Sequence, residues 1–256
     1  LAPALVLHSL LDTGLGSGTL LRIAAGVTAF TLAMAGLVEL SGRLLGVDDA
    51  TLSALVLVAT FPNAGNYGIP VSDFAFGSVG RGVAVLYVAV QSVLMYTVGV
   101  YVASRGGGSA GLGALKRVFR IPLIYAVAGG LLLRAVDLVP ASDSTAMETL
   151  QLVGDASIPV MLLIMGIQLA NTDFGAAIPQ LTVATIGKMV VAPVVAVGVA
   201  LLLGFEESTV ARTFVLESAM PAAVTPLALL IAFADDVEGG GVTAPECVST
   251  TVAVTA

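Results

Sequence analysis

Two asparagines, Asn63 and Asn66, lie between two prolines, Pro62 and Pro70, in the stretch FPNAGNYGIP at 61–70. A carboxamide both donates and accepts hydrogen bonds. Proline removes a backbone N–H, and Gly65 and Gly68 weaken helix further. Together these residues free main-chain groups and set polar side chains beside them. That chemistry grips a solute without making or breaking a bond. A second stretch of this kind, AMPAAVTP at 219–226, carries Pro221, Ala222 and Thr225. Two charges lie furthest into apolar sequence: Glu217, four residues before Pro221, and Lys188, five before Pro193. Inside a membrane a charge costs about 2.5 kcal/mol or more and is usually paired or functional. No catalytic constellation accompanies them. The chain has one His, one Cys, no HExxH and no phosphate-cradling GxxxxGK[ST] loop, so neither a metal, nor ATP, nor another cofactor is expected.

These residues sit in a chain built for lipid. Of 256 residues, 57% are hydrophobic and 11% charged, against about 25% charged in soluble domains. Mean hydropathy is +1.04. The composition is that of a polytopic all-α membrane protein. The net charge of −7 argues against a nucleic-acid partner, and the single Cys247 excludes an internal disulfide. A spanning helix needs about 20 apolar residues. By that measure the candidate spans are 1–14, 20–45, 51–77, 79–103, 121–139, 149–171, 178–204, 208–234 and 242–256. The chain opens and closes inside apolar runs, which reads as a fragment with its first helix missing and its last truncated. Arg105, Lys116, Arg117 and Arg120 make 104–120 a basic loop. The positive-inside rule puts that loop on the cytoplasmic face of a cell membrane. The breaks at 61–70 and 219–226 interrupt the third and eighth candidate spans. Peptide groups freed there cannot face lipid and must face protein or a water-filled cavity.

The sequence also aligns with itself at an offset of 156–158. Leu44-Leu45-Gly46-Val47-Asp48-Asp49-Ala50-Thr51 falls on Leu202-Leu203-Gly204-Phe205-Glu206-Glu207-Ser208-Thr209. The same shift lays Asn63 on Pro221, and near the start Pro3 falls on Pro159. The span at 121–139 has no partner unless one precedes residue 1. Each repeat then holds five spans, an odd number, so the second copy enters the membrane inverted. Inverted repeats with a discontinuous helix in each half are the architecture of secondary transporters, with substrate at mid-membrane.

The pattern Asn63-Ala64-Gly65-Asn66-Tyr67-Gly68-Ile69-Pro70 resembles the first crossover of the auxin efflux carrier family, which includes plant PIN exporters and prokaryotic permeases. Ser157-Ile158-Pro159-Val160-Met161, Lys188 with Pro193, Glu217-Ser218-Ala219-Met220-Pro221-Ala222 and Ser249-Thr250-Thr251 are similar to its later spans, in order. The resemblance implies ten spans in inverted five-helix repeats with two crossing broken helices, a bile-acid-symporter-like or NhaA-like fold. It implies a scaffold helix at 1–19 and scaffold helices at 121–171. First-repeat transport helices would run over 20–103 with a crossover at 61–70, and second-repeat ones over 172–256 with a crossover at 219–226. It further implies elevator motion, a possible homodimer through the scaffold, and a small organic anion, typically a carboxylate, as substrate.

On this reading Pro62, Asn63, Gly65 and Asn66 line a substrate site from one side and Pro221, Ala222 and Thr225 from the other. Half-helix N-termini there suit a carboxylate. The plainer alternative is a kinked helix whose asparagines cap its broken ends. Lys188 and Glu217 are expected to approach each other, one changing partner or protonation during the cycle with a proton or sodium as coupling ion. A static buried pair, or a snorkelling Lys188, is the alternative. Glu39 and Arg43 read as a local i,i+4 ion pair, and Gln91 as a partner in interhelical hydrogen bonding. Gly129-Gly130 permits close helix packing, whereas Gly26 to Phe30 breaks the small-xxx-small pattern. A secondary carrier is the first reading. A passive channel would need a continuous polar pore, and an intramembrane enzyme a catalytic cluster that the chain does not offer.

Overall fold

The structure is a computed structural model. It describes residues 1–12, 14–104, 122–170, 185–223, 225, 226 and 229. All but Ser104 of the expected basic loop at 104–120, and all of the expected last span at 242–256, lie outside the described residues. Among those described, every regular element is helical.

The elements are α1 (Ala2–Asp12), α2 (Ser17–Leu44), α3 (Asp49–Thr60), a π-turn at Ala64–Gly68, α4 (Ile69–Leu94), a second π-turn at Met95–Gly99 and α5 (Val100–Ala103). Then come α6 (Pro122–Ala135), α7 (Thr145–Asp155), α8 (Ser157–Ala170), a third π-turn at Gly187–Val191, α9 (Ala192–Leu203) and α10 (Ser208–Ser218). Helices over Ser17–Leu44, Ala64–Ala103 and Thr145–Ile164 are long and apolar enough to cross a membrane. Shorter apolar helices cover Ala2–Asp12, Asp49–Thr60, Pro122–Ala135 and Gly187–Leu203.

Local chemistry explains the interruptions. At 1.5 Å per residue, α3 and α10 each reach about half of a hydrocarbon core roughly 30 Å thick. Their ends, at Thr60 and Ser218, are followed by the two breaks. The first and third π-turns each stop two residues short of a proline, Pro70 and Pro193. Proline removes the N–H the preceding turn needs, and the ladder widens to i→i+5 there. The π-turn at Met95–Gly99 has no proline. Instead Ser92 Oγ donates to Val88 O at 2.7 Å and Thr97 Oγ1 to Val93 O at 2.8 Å, drawing carbonyls out of the ladder. The expected boundary between 51–77 and 79–103 is a sharp turn inside α4. There Gly77 takes φ 63°, ψ −151°, a conformation open to glycine.

The helix expected over 149–171 begins at Thr145, where Ser144 caps it by accepting from the Met147 N–H. It also bends at Ala156, just before Pro159, whose missing N–H loosens that turn. The two copies of the LLG motif behave alike. Gly46 and Gly204 both turn left-handed, at φ 69° and 56°, and a helix starts shortly after each.

The helices fall into two packed groups. In one, α1 packs on α6 and α7. Gly130 lies under Leu10, where an added Cβ would sit 3.3 Å from Leu10 Cβ, and a Cβ added to Gly154 would sit 3.0 Å from Leu5 Cα. Gly129 faces open space. In the other group α2 packs on α3, α4 and α9, and α10 on α4 and α9, around buried Phe30, Met34, Tyr87 and Phe214. Gly26 is a close-packing position here after all: an added Cβ would meet Leu203 and Phe214 at 3.0 Å. Its partners lie on α9 and α10, which a spacing rule within α2 does not register. Leu5, Leu10, Ile69, Val85 and Met161 fill the seam between the groups. The Glu39–Arg43 pair forms at 2.7 Å.

Candidate functional site

The two breaks meet. Pro62 and Ala222 form an antiparallel bridge. Asn63 N–H donates to Pro221 O at 2.7 Å and Ala223 N–H to Phe61 O at 3.0 Å. Pro62 is tolerated at this position because the pairing takes its N–H groups from the flanking residues. The bridge therefore satisfies two peptide groups that each helix lost on breaking. A third is met by a side chain: Gln91 Nε2 on α4 donates to Pro62 O at 2.6 Å.

Beside the bridge lies a cavity of about 240 Å³, near the small end of ligand sites. Its wall includes Pro62, Asn63, Gly65, Asn66 and Thr225, all expected from sequence. Pro221 and Ala222 are buried in the bridge itself, and Ala223 stands on the wall instead. The remaining wall comes from α4 and the second π-turn: Val88, Gln91, Ser92, Met95 and Tyr96. The cavity thus has an amide side, Asn63, Asn66 and Gln91, and an apolar side, Val88 and Met95. Sequence reasoning had singled out only Gln91 from this second wall. The other four belong to the mostly apolar run over 79–103, in which no local signal separates wall from core.

Glu217 and Lys188 lie off this wall, both fully buried. The alternative of a static ion pair between them is not formed: among the described residues no salt bridge joins the two. Each has a nearer partner. Glu217 Oε1 accepts from Ser72 Oγ at 2.6 Å, while its Oε2 is buried without a hydrogen bond. Gly68 backs onto this carboxylate, and a Cβ there would lie 2.0 Å from Oε2. The first π-turn therefore presents Gly65 and Asn66 to the cavity and Gly68 to Glu217. Lys188 Nζ donates to Ser218 O at 3.3 Å and lies 6.0 Å from the centre of the Phe30 ring. That carbonyl belongs to the last turn of α10, where orphan acceptors and the negative end of the helix dipole hold a cation. Tyr87 OH and Ser218 Oγ, 3.1 Å apart, close the cluster.

The family model described as membrane transport protein matches residues 1–233. An uncharacterized transporter of Methanothermobacter thermautotrophicus is 24% identical over 237 residues, covering 92% of this chain and 76% of the relative. A match over so much of the chain, on helices broken and paired in this way, settles the membership: the chain belongs to the membrane transport protein family, that of the auxin efflux carriers.

Proposed function

We propose that this membrane transporter is a secondary active carrier of a small organic anion, a carboxylate, working by alternating access. The observation that carries the reading is the bridged pair of helix breaks with a cavity beside it. The opening of the π-turn at Ala64 offers N–H groups beside the cavity, and three carboxamides add donors. Such a site binds a carboxylate without a buried cation on its wall. Pro62, Asn63, Gly65, Asn66 and Thr225 contact the substrate; Pro221 and Ala222 act by holding the bridge.

Coupling belongs to the second cluster. The unpartnered Oε2 of Glu217 is where a proton or a sodium ion would bind, and Lys188 balances the charge through the end of α10. The repeat is inverted, the loop 104–120 faces the cytoplasm of the cell, and a homodimer forms through the scaffold helices at 1–19 and 121–171. These statements rest on the self-alignment, the positive-inside rule and the family resemblance.

The test is counterflow in proteoliposomes. Labelled carboxylates are presented outside, with unlabelled ones trapped inside. A carrier shows trans-stimulated uptake of at least one carboxylate. Uptake indifferent to trans substrate would replace this reading with a passive channel.

A further inference from the structure

Away from the cavity, one charged cluster ties the two helix groups together. Arg81 lies on α4 just past the Gly77 turn, with its side chain 14% exposed. Its Nη1 meets Asp155 Oδ1 at 2.6 Å, and its Nε lies 3.4 Å from Asp73 Oδ1. The two carboxylates differ in where they belong. Asp73 precedes the turn on the same helix. Gly80 lets the two arms of that turn close, since a Cβ there would sit 2.4 Å from Ser72 O. Asp73 and Arg81 therefore move as one piece. Asp155 ends α7, which Gly154 locks against the backbone of α1. The tight contact crosses between groups and the slack one stays within a group.

We infer that Arg81 is a positioning residue of the transport cycle: it latches the group carrying the helix crossing to the α1–α6–α7 group through Asp155, and falls back on Asp73 when the groups slide apart. This rests on the alternating-access reading. The arrangement fits a contact that must break repeatedly. When Asp155 is lost, the guanidinium retains a carboxylate 3.4 Å away, so no unpaired charge is stranded beside the membrane core. Removing Asp155 alone shifts the balance between the two facing states. Removing Asp73 leaves the latched state in place and slows the passage out of it.

The test uses the full chain in liposomes, with Cys247→Ser as background and Ser92→Cys as a reporter on the cavity wall. A membrane-impermeant maleimide labels it from either side. Asp155→Asn is expected to change the ratio of labelling from the two sides by about fivefold or more, in the range of ordinary conformational coupling. Asp73→Asn is expected to shift that ratio in the opposite direction, because the released guanidinium then has no second carboxylate. A second measurement bridges the double variant Arg81→Cys, Asp155→Cys with a bis-methanethiosulfonate reagent. Exchange should stop on bridging and return on reduction. An unchanged labelling ratio in Asp155→Asn, or undiminished exchange in the bridged protein, overturns the latch. Labelling needs no substrate. A ratio that shifts while no carboxylate is exchanged keeps the latch and refutes the carboxylate reading alone.

Discussion

The two helix breaks do the same backbone work with different side chains. Each lends one N–H and one carbonyl to the bridge at Pro62 and Ala222. The first brings two carboxamides, Asn63 and Asn66, to the cavity, whereas the second brings Ala223 and Thr225. The charge is distributed the other way. Glu217 stands four residues before Pro221, and the position 158 residues earlier is Ala59, buried and apolar. On the repeat we propose from the self-alignment, the two breaks share a frame and have specialised. On our reading the first recognises the solute, and the helix leading into the second carries the coupling.

The sharpest way to break this comparison is Glu217→Gln. It keeps the shape and the Ser72 hydrogen bond but removes the ionisable oxygen. Gradient-driven uptake is expected to fall to background while the folded protein elutes unchanged in detergent; uptake at the parent's rate would remove Glu217 from coupling. Next in size is Asn66→Ala, which takes one polar contact from a charged ligand. Such contacts are worth about 1.5–3 kcal/mol, so KM for counterflow should rise about tenfold to a hundredfold. Thr225→Val on the other wall should raise it by about threefold or less if recognition resides in the first break. Equal effects would erase the asymmetry.

Much of this was legible before any coordinates. Prolines and glycines at 61–70 and 219–226 mark the breaks because a missing N–H is a local property. The glycine of the LLG motif suits the two left-handed turns for a different local reason: without a Cβ it takes positive φ at little cost. What pairs with what was not legible. Lys188 and Glu217 are the two deepest charges and so look like partners. The α10 carbonyl and the Ser72 hydroxyl reach them first, and both are common groups with no distinctive sequence signature. The π-turn at Met95–Gly99 was equally hidden, since serine and threonine back-bonding leaves no mark in an apolar run. Gly26 shows the same limit, because its close neighbours come from helices far along the chain.

Smaller effects test the frame. Gln91→Leu leaves Pro62 O without its side-chain donor, and an unmet buried carbonyl costs about 1–3 kcal/mol. Thermal stability should drop accordingly, measured against Glu217→Gln as a control that keeps the bridge. The smallest contrast lies at the two loops that carry the LLG motif. Asp48 accepts from the Thr51 N–H at 2.9 Å, and that bond holds its carboxyl below the usual range. Its contribution is present above the ordinary aspartate pKa and is lost as pH falls through the depressed one. Glu207, at the start of α10, makes no such capping bond. Asp48→Ala should cost about 1 kcal/mol near neutral pH, with the difference from the parent vanishing in acid. Glu207→Ala should cost less at every pH.

The central claim is that the two breaks are joined backbone to backbone, and one cross-link tests it most directly. Pro62 and Ala222 are a non-hydrogen-bonded antiparallel pair, whose Cα atoms lie about 4.5 Å apart in such geometry, within reach of a disulfide. Pro62→Cys with Ala222→Cys, in a Cys247→Ser background cut by protease within 104–120, should hold the two halves together under oxidation and release them on reduction. Halves that separate without reductant would contradict the account.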